Sequence, residues 1–240
     1  MERKLMMLQQ LTEHVWYLPH DEPTDRPVLG YVRGSRYALA VDAGASPAHI
    51  ACFYQELERA GLPLPDMTAI THWHWDHTLG MGSVHGATIA CAETNRLLRE
   101  ERAKAAAGPA HWDAMREDTK GFALEYPAGS DPEVVLATIE FPSTLTIDLG
   151  GATISLIRVE APHTPDSVFV HVLEDRVLFM GDAACADYDA PNAPVLDLAK
   201  LEALSHVVHE ADCEHFLHGH WEPLDAIEIE EDFEPLRANA

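Results

Sequence analysis

The sequence predicts a mixed α/β (α+β) chain in which two β-sheets pack face to face with helices outside. Three observations carry this. Short apolar or alternating runs, bounded by Gly, Pro and Asp, recur in both halves of the chain, the pattern of buried and half-buried strands. Between those halves lies a stretch rich in Ala, Arg, Glu and Leu, which reads as helix. Hydrophobic residues make up 47% of 240, enough to fill the core that such layers need.

The elements follow in order. Residues 15–18 form a short strand, and 28–33 and 36–41 a hairpin around Gly34-Ser35. Asp42-Ala43-Gly44 then supplies turn chemistry. Ser46 and Pro47 are an N-cap and a first-turn proline. Behind them Ile50, Phe53, Leu57 and Ala60 share one helical face, and Gly61 ends the helix. Residues 67–71 are a strand, 80–84 a short helix and 88–91 another strand. Helices are expected over 93–107 and 111–119, and irregular chain over 121–142. The stretch 95–142 reads as a helical insertion or lid within one domain spanning 1–240, being too short for a large core of its own. Strands return at 144–147, 153–159, 168–173 and 177–180, with turns at Gly150-Gly151 and Glu174-Asp175. Asp197 opens a helix in which Leu198, Leu201, Leu204 and Val208 fall at helical spacing, and 215–217 is a last strand. No low-complexity segment or short-period repeat interrupts this order.

Charge narrows the partners. Sixteen basic residues against 40 acidic ones give a net −24, a surface that repels nucleic acid and anionic lipid. Cys52, Cys91, Cys185 and Cys213 are scattered and form no C-x-x-C pair, which fits free thiols in a reducing compartment. The stretch from Met1 to Met7 has no apolar run long enough for a signal peptide, and no segment reaches ~20 apolar residues. The cytoplasm is the expected location.

The chemistry gathers in Thr71-His-Trp-His-Trp-Asp-His77. Alternation along extended chain puts His72 and His74 on one side and Trp73 and Trp75 on the other, in packing. Asp76 and His77 follow where the chain turns. Imidazole and carboxylate are ligands for zinc and similar metals, and four such groups are costly to bury without a cation. A histidine-rich surface loop is the alternative for any one of them. Three later residues fit the same chemistry: His163 in Pro-His-Thr-Pro-Asp-Ser, Asp182 after Phe-Met-Gly, and His220 in His-Gly-His-Trp. All follow expected strands, where functional loops collect.

In this order, T-H-W-H-W-D-H, P-H-T-P-D-S, F-M-G-D and H-G-H, the chain resembles the metallo-β-lactamase superfamily over about 28–221, with Asp42-Ala-Gly44 similar to that family's early Asp-x-Gly turn. The resemblance implies a four-layer αββα sandwich. Carried over by position, His72, His74 and His163 would hold one metal, and Asp76, His77 and His220 a second, with Asp182 bridging. There are departures. Pro162 precedes His163 where Gly is usual, and Trp221 stands where Gly commonly follows the last His and would shape the pocket. His218 is a nearby rival to His220. Asp182 takes the place of the Cys that one group of true β-lactamases carries.

The resemblance further implies a metal-dependent hydrolase, of the glyoxalase II or lactonase kind, using a metal-bound hydroxide on a small ester, thioester or lactone. Two zinc ions are the expected cofactor, with iron or manganese as alternatives. Asp76 would be catalytic as well as a ligand. Asp42, Thr71 and Ser167 would fix histidine tautomers. Tyr188 and Trp221 would contact substrate, and Asp187 and Asp189 would line the pocket with them. Trp73, Trp75, Trp112 and Trp221 are candidates for apolar pocket walls, with core packing the expectation for Trp73 and Trp75. An iron-dependent redox enzyme of the persulfide dioxygenase kind, or a non-catalytic metal-binding member, stays open beside this.

Overall fold

In the computed structural model, residues 7–237 are described. The expectation about a leader rests mainly on residues 1–6, outside that range. Seven strands build the first sheet in chain order: β1 (Gln9–Gln10), β2 (Val15–Leu18), β3 (Leu29–Arg33), β4 (Ala38–Val41), β5 (Met67–Ala69), β6 (Ala87–Cys91) and β7 (Ile139–Phe141). The second sheet holds β8 (Thr144–Asp148), β9 (Thr153–Arg158), β10 (Val168–Val172), β11 (Val177–Gly181), β12 (His215–His218) and β13 (Leu224–Asp225). Its order is β13-β12-β11-β10-β9-β8.

Period-two alternation decides which faces meet. On β4, Leu39 and Val41 point between the sheets while Ala38 and Ala40 point outward; on β11, Val177 and Phe179 face in and Leu178 and Met180 out. The inner faces share one core with Val32, Ile89, Leu156, Val170 and Leu217. Fully burying each such side chain contributes about 1.5–3 kcal/mol. Helix α1 (Pro47–Arg59) covers the outer face of the first sheet through Ile50, Phe53 and Leu57. Ser46 caps it by accepting from the His49 N–H. Ala60, expected on the apolar face, is exposed at the helix end. After α2 (Trp75–Thr78), helices α3 (Ala92–Ala106), α4 (Ala110–Asp118) and α5 (Lys120–Glu125) cover the rest of that face. The second sheet is covered by α6 (Leu198–Glu210), through Leu201, Leu204 and Val208, with Asp197 as N-cap. Helices thus lie outside two stacked sheets, the αββα sandwich.

The expected irregular stretch 121–142 contains α5 and β7. Helix α5 exists because Phe122 is wedged between Trp75, Trp112 and Tyr126. It is also clamped by a bidentate ion pair from Arg26 to Glu125, at 2.6 and 3.1 Å. Strand β7 is three residues long and pairs parallel with β6. Neither is visible to local propensity, because long-range packing creates both. The strand expected over 67–71 ends at Ala69, so His72–His77 occupies a loop and α2. The expected helix at 80–84 is a 3-10 turn, Met81–Ser83. Strands β1 and β13, a 3-10 turn at Glu228–Phe233 and α7 (Glu234–Arg237) went unread.

Gly30 on β3 lies directly under the Phe179 ring of the opposite sheet, where an added Cβ would collide with the ring and crowd Val41. Gly30→Ala should therefore cost about 1–3 kcal/mol through overpacking. Urea denaturation measures it; a midpoint unchanged from wild type would contradict this packing.

Candidate metal centre

The loops after β4, β5, β9, β11 and β12 meet at one rim of the sandwich. Asp42, just past β4, is where the site begins. It sits at φ 66, a left-handed conformation that Asp tolerates better than most residues. Its buried carboxylate accepts from the Thr71 N–H at 2.8 Å, from Thr71 Oγ1, and from His77 Nδ1 at 2.8 Å. Thr71 Oγ1 in turn accepts from His72 Nδ1 at 3.1 Å. One carboxylate thus sets the orientation of both rings, and both Nε2 atoms face inward. Ser167, expected to act likewise, instead donates to the Thr164 carbonyl and closes its own turn.

His163 donates from Nδ1 to the Ala186 carbonyl at 2.7 Å, which turns Nε2 inward. His74 is reversed: Nε2 donates to Asp189 at 3.0 Å, and Nδ1 lies 3.0 Å from His163 Nε2. His72, His74 and His163 form one group of possible ligand atoms, all within 4.8 Å of one another. Asp76, His77, Asp182 and His220 form a second. Asp182 Oδ2 lies between the two, 3.3 Å from His220 Nε2, 3.5 Å from His77 Nε2, 3.8 Å from His163 Nε2 and 4.0 Å from His72 Nε2. A register shift between Phe179 and Gly181 in the β11–β12 pairing precedes Asp182, as bulges that re-aim a side chain do. Gly219 has no room for a Cβ, which would fall on Asp182 Oδ1 and 3.0 Å from the His77 ring.

All seven sequence-derived candidates are therefore brought together. His218 is not among them: it is buried and paired with Asp232 at 2.6 Å. Tyr188 and Trp221 stand exposed on the rim, Tyr188 edge-on to His163 and Trp221 edge-on to His220. Asp189 holds His74, whereas Asp187 accepts from the Asp189 and Ala190 N–H groups and closes a turn. Sequence reasoning missed His20 and Asp25, which form a third possible group with His220; Asp25 Oδ1 is 3.2 Å from His220 Nδ1. No motif marks them, although Asp25 has φ 58.

The electrostatics ask for positive charge. Burial would raise the pKa of Asp76 and Asp182, but the charges of His77 and hydrogen bonds from His220 hold both well below the carboxylate range. Burial would lower His77, but Asp76, Asp182 and Asp42 outweigh it and raise it well above the usual histidine value. His220, with hydrogen bonds to Asp182, Asp25 and Asp76 opposing its burial, is raised to about 12. In the other group, burial pushes His72 and His163 down, leaving neutral rings with ligand lone pairs. His72 Nε2, His77 Nε2 and Asp182 Oδ1 are buried without a hydrogen-bond partner among the described residues. His74 runs the other way: burial would lower it, but its hydrogen bond to Asp189 and the charges of Asp76, Asp189 and Asp182 raise it. That donor set, three imidazoles beside a carboxylate-rich group, fits divalent cations of the zinc type.

A family model for the metallo-beta-lactamase superfamily matches residues 27–211. The chain belongs to the metallo-beta-lactamase superfamily. It is a metallohydrolase of that fold. Among curated proteins it is similar to the acyl-coenzyme A thioesterase MBLAC2 of Gallus gallus, 26% identical over 225 residues, spanning 85% of this chain and 76% of the relative. Among solved structures, DIM-1 metallo-beta-lactamase superposes with a TM-score of 0.67 at 16% identity, covering 97% of both chains. A metallo-beta-lactamase from Pontibacter korlensis gives 0.66 at 17% identity, covering 96% of this chain and 98% of that one. These structural likenesses concern the fold.

Cation uptake has to displace the protons that His77 and His220 hold in the metal-free site. His220 protonation supports the metal-free fold fully below its unfolded value near 6.5, and that support is lost as pH rises towards about 12. Metal affinity should therefore rise with pH over the same window. Calorimetric titration with zinc in buffers of differing ionisation enthalpy should show proton release; a heat independent of buffer would contradict it.

Proposed function

We propose that this metallohydrolase binds two zinc ions and hydrolyses a small ester, thioester or lactone. The observation that carries the reading is Asp182 Oδ2 lying between two complete ligand groups. On this reading His72, His74 and His163 would hold one ion and Asp76, His77 and His220 the other, with Asp182 available to both. The ions would supply Lewis acidity, polarising the substrate oxygen and lowering the pKa of water to ~7. The thioester option draws support from the name of the curated relative.

The side chains do the rest. Asp76 is buried and ionised, and its Oδ2 lies 3.1 Å from His220 Nε2; besides binding metal it would orient the attacking water. Asp42, Thr71 and Asp189 keep the rings from swinging, which fixes which nitrogen faces inward. A cleft of about 620 Å³ opens from the cluster. Tyr188 and Trp221 at its mouth would touch substrate, and Trp73, Trp75 and Trp112 line it. Helices α3 to α5 act as the lid that the stretch 95–142 suggests, within one domain. The substrate is a small molecule: net charge −24 opposes nucleic acid. No helix among the described residues is long and apolar enough to cross a membrane. Four scattered cysteines with no C-x-x-C pair fit the cytoplasm.

Metal analysis of protein purified without added metal, joined to a screen of p-nitrophenyl esters, thioesters, lactones and bis-p-nitrophenyl phosphate, tests this. Zinc at about two ions per chain and chelator-sensitive ester or thioester cleavage are expected. Asp76→Ala should lower kcat by at least about a hundredfold. Iron with oxygen consumption, or bound metal with no cleavage of any ester, would overturn the proposal.

A further inference from the structure

The cleft has two chemically different parts. Next to the metal cluster it is polar. Farther out, towards α3 and α4, Trp73, Leu98, Trp112, Met115 and Val134 line an apolar arm. The arm is continuous with the space that His74 and His163 border. It is therefore placed to receive the part of a substrate attached to the reacting carbonyl.

The fixed charges along the same cleft are mostly negative. Asp25, Asp118, Asp189 and Glu101 line it, besides Asp76 and Asp182 at the cluster. Lys104 is the only lysine or arginine lining it among the described residues. Its ammonium is already engaged, 3.2 Å from Glu101, whose other oxygen is 2.5 Å from His111 Nε2. Lys120, in the adjoining shallow recess, sits with Glu22, Asp25 and Asp118. Arg26 is committed to Glu125. Cations bound at the cluster would face Asp76 and Asp182 at the deep end and leave the rim acidic. Recognition of phosphates needs clustered cations or helix N-termini aimed at them, and this rim presents carboxylates instead.

Resting on the hydrolase reading above, we infer that the substrate is an uncharged thioester or ester whose aliphatic acyl chain lies in the Trp73–Trp112–Met115 arm. Thioesters of polyanionic carriers such as coenzyme A are discriminated against by the acidic rim. The curated relative is named for coenzyme A thioesters, so the two proteins would share a bond type and differ in the carrier.

The test compares hexanoyl-N-acetylcysteamine with hexanoyl-coenzyme A, which share the acyl group and the scissile bond, on metal-loaded enzyme. At low salt kcat/KM should favour the uncharged thioester by at least about tenfold, and added salt should shrink the ratio. Lengthening the acyl chain from acetyl to hexanoyl should raise kcat/KM by up to roughly fourfold per methylene. Asp118→Lys, on an exposed helix end, should shift the ratio towards coenzyme A. Binding of the two non-hydrolysable S-hexyl thioethers, by calorimetry, separates the claims. Weaker binding of S-hexyl-coenzyme A with neither thioester cleaved, nor any ester of the screen, would sustain the discrimination between carriers and sink the hydrolase reading. Cleavage of both esters with equal or tighter binding of the coenzyme A thioether would do the reverse. Failure of the N-acetylcysteamine thioether to bind at all would also overturn the inference.

Discussion

A single carboxylate oxygen, Asp182 Oδ2, lies within 4.0 Å of ring nitrogens from His72, His77, His163 and His220. With Asp76 it puts two ionised carboxylates and several imidazoles in a largely buried site at the base of the cleft. Burying an uncompensated ion costs on the order of several kcal/mol. Without a metal, the protons on His77 and His220 meet that demand. Divalent cations would meet it better, since each brings twice the charge and binds the lone pairs directly. The local preferences of the fold around this point serve that compensation.

The sandwich makes the arrangement possible because strands are stiff and their ends are close. Asp42 leaves one sheet beside the strand that delivers His72 to His77. Asp182 and His220 leave the other at the ends of neighbouring parallel strands, β11 and β12. The shared core between the sheets, from Leu39 and Val41 to Val177 and Phe179, fixes the distance between those rims. Specificity is built differently. On the proposed reading it would come from α3, α4 and α5, which are held among other contacts by an aromatic stack around Phe122 and by the Arg26–Glu125 pair.

This division explains what the sequence disclosed. The layered fold and all seven cluster residues were legible, since alternation reports which face is buried and H-x-H-x-D-H compresses four ligands into one loop. Asp42 and Thr71 were legible as supports, but Ser167 misled: its hydroxyl is satisfied within its own turn. Helix α5 and strand β7 were hidden because Phe122 and Ile139 gain their structure from partners distant in sequence. Asp25 and His20 reach His220 from a loop nearly two hundred positions away, a proximity that spacing cannot report.

Crystals of the purified protein, with anomalous scattering recorded at the zinc edge, test the central claim most directly. Two peaks are expected on either side of Asp182, one against His72, His74 and His163, the other against Asp76, His77 and His220. An absence of peaks there, or a lone peak among His20, Asp25 and His220, would contradict the account.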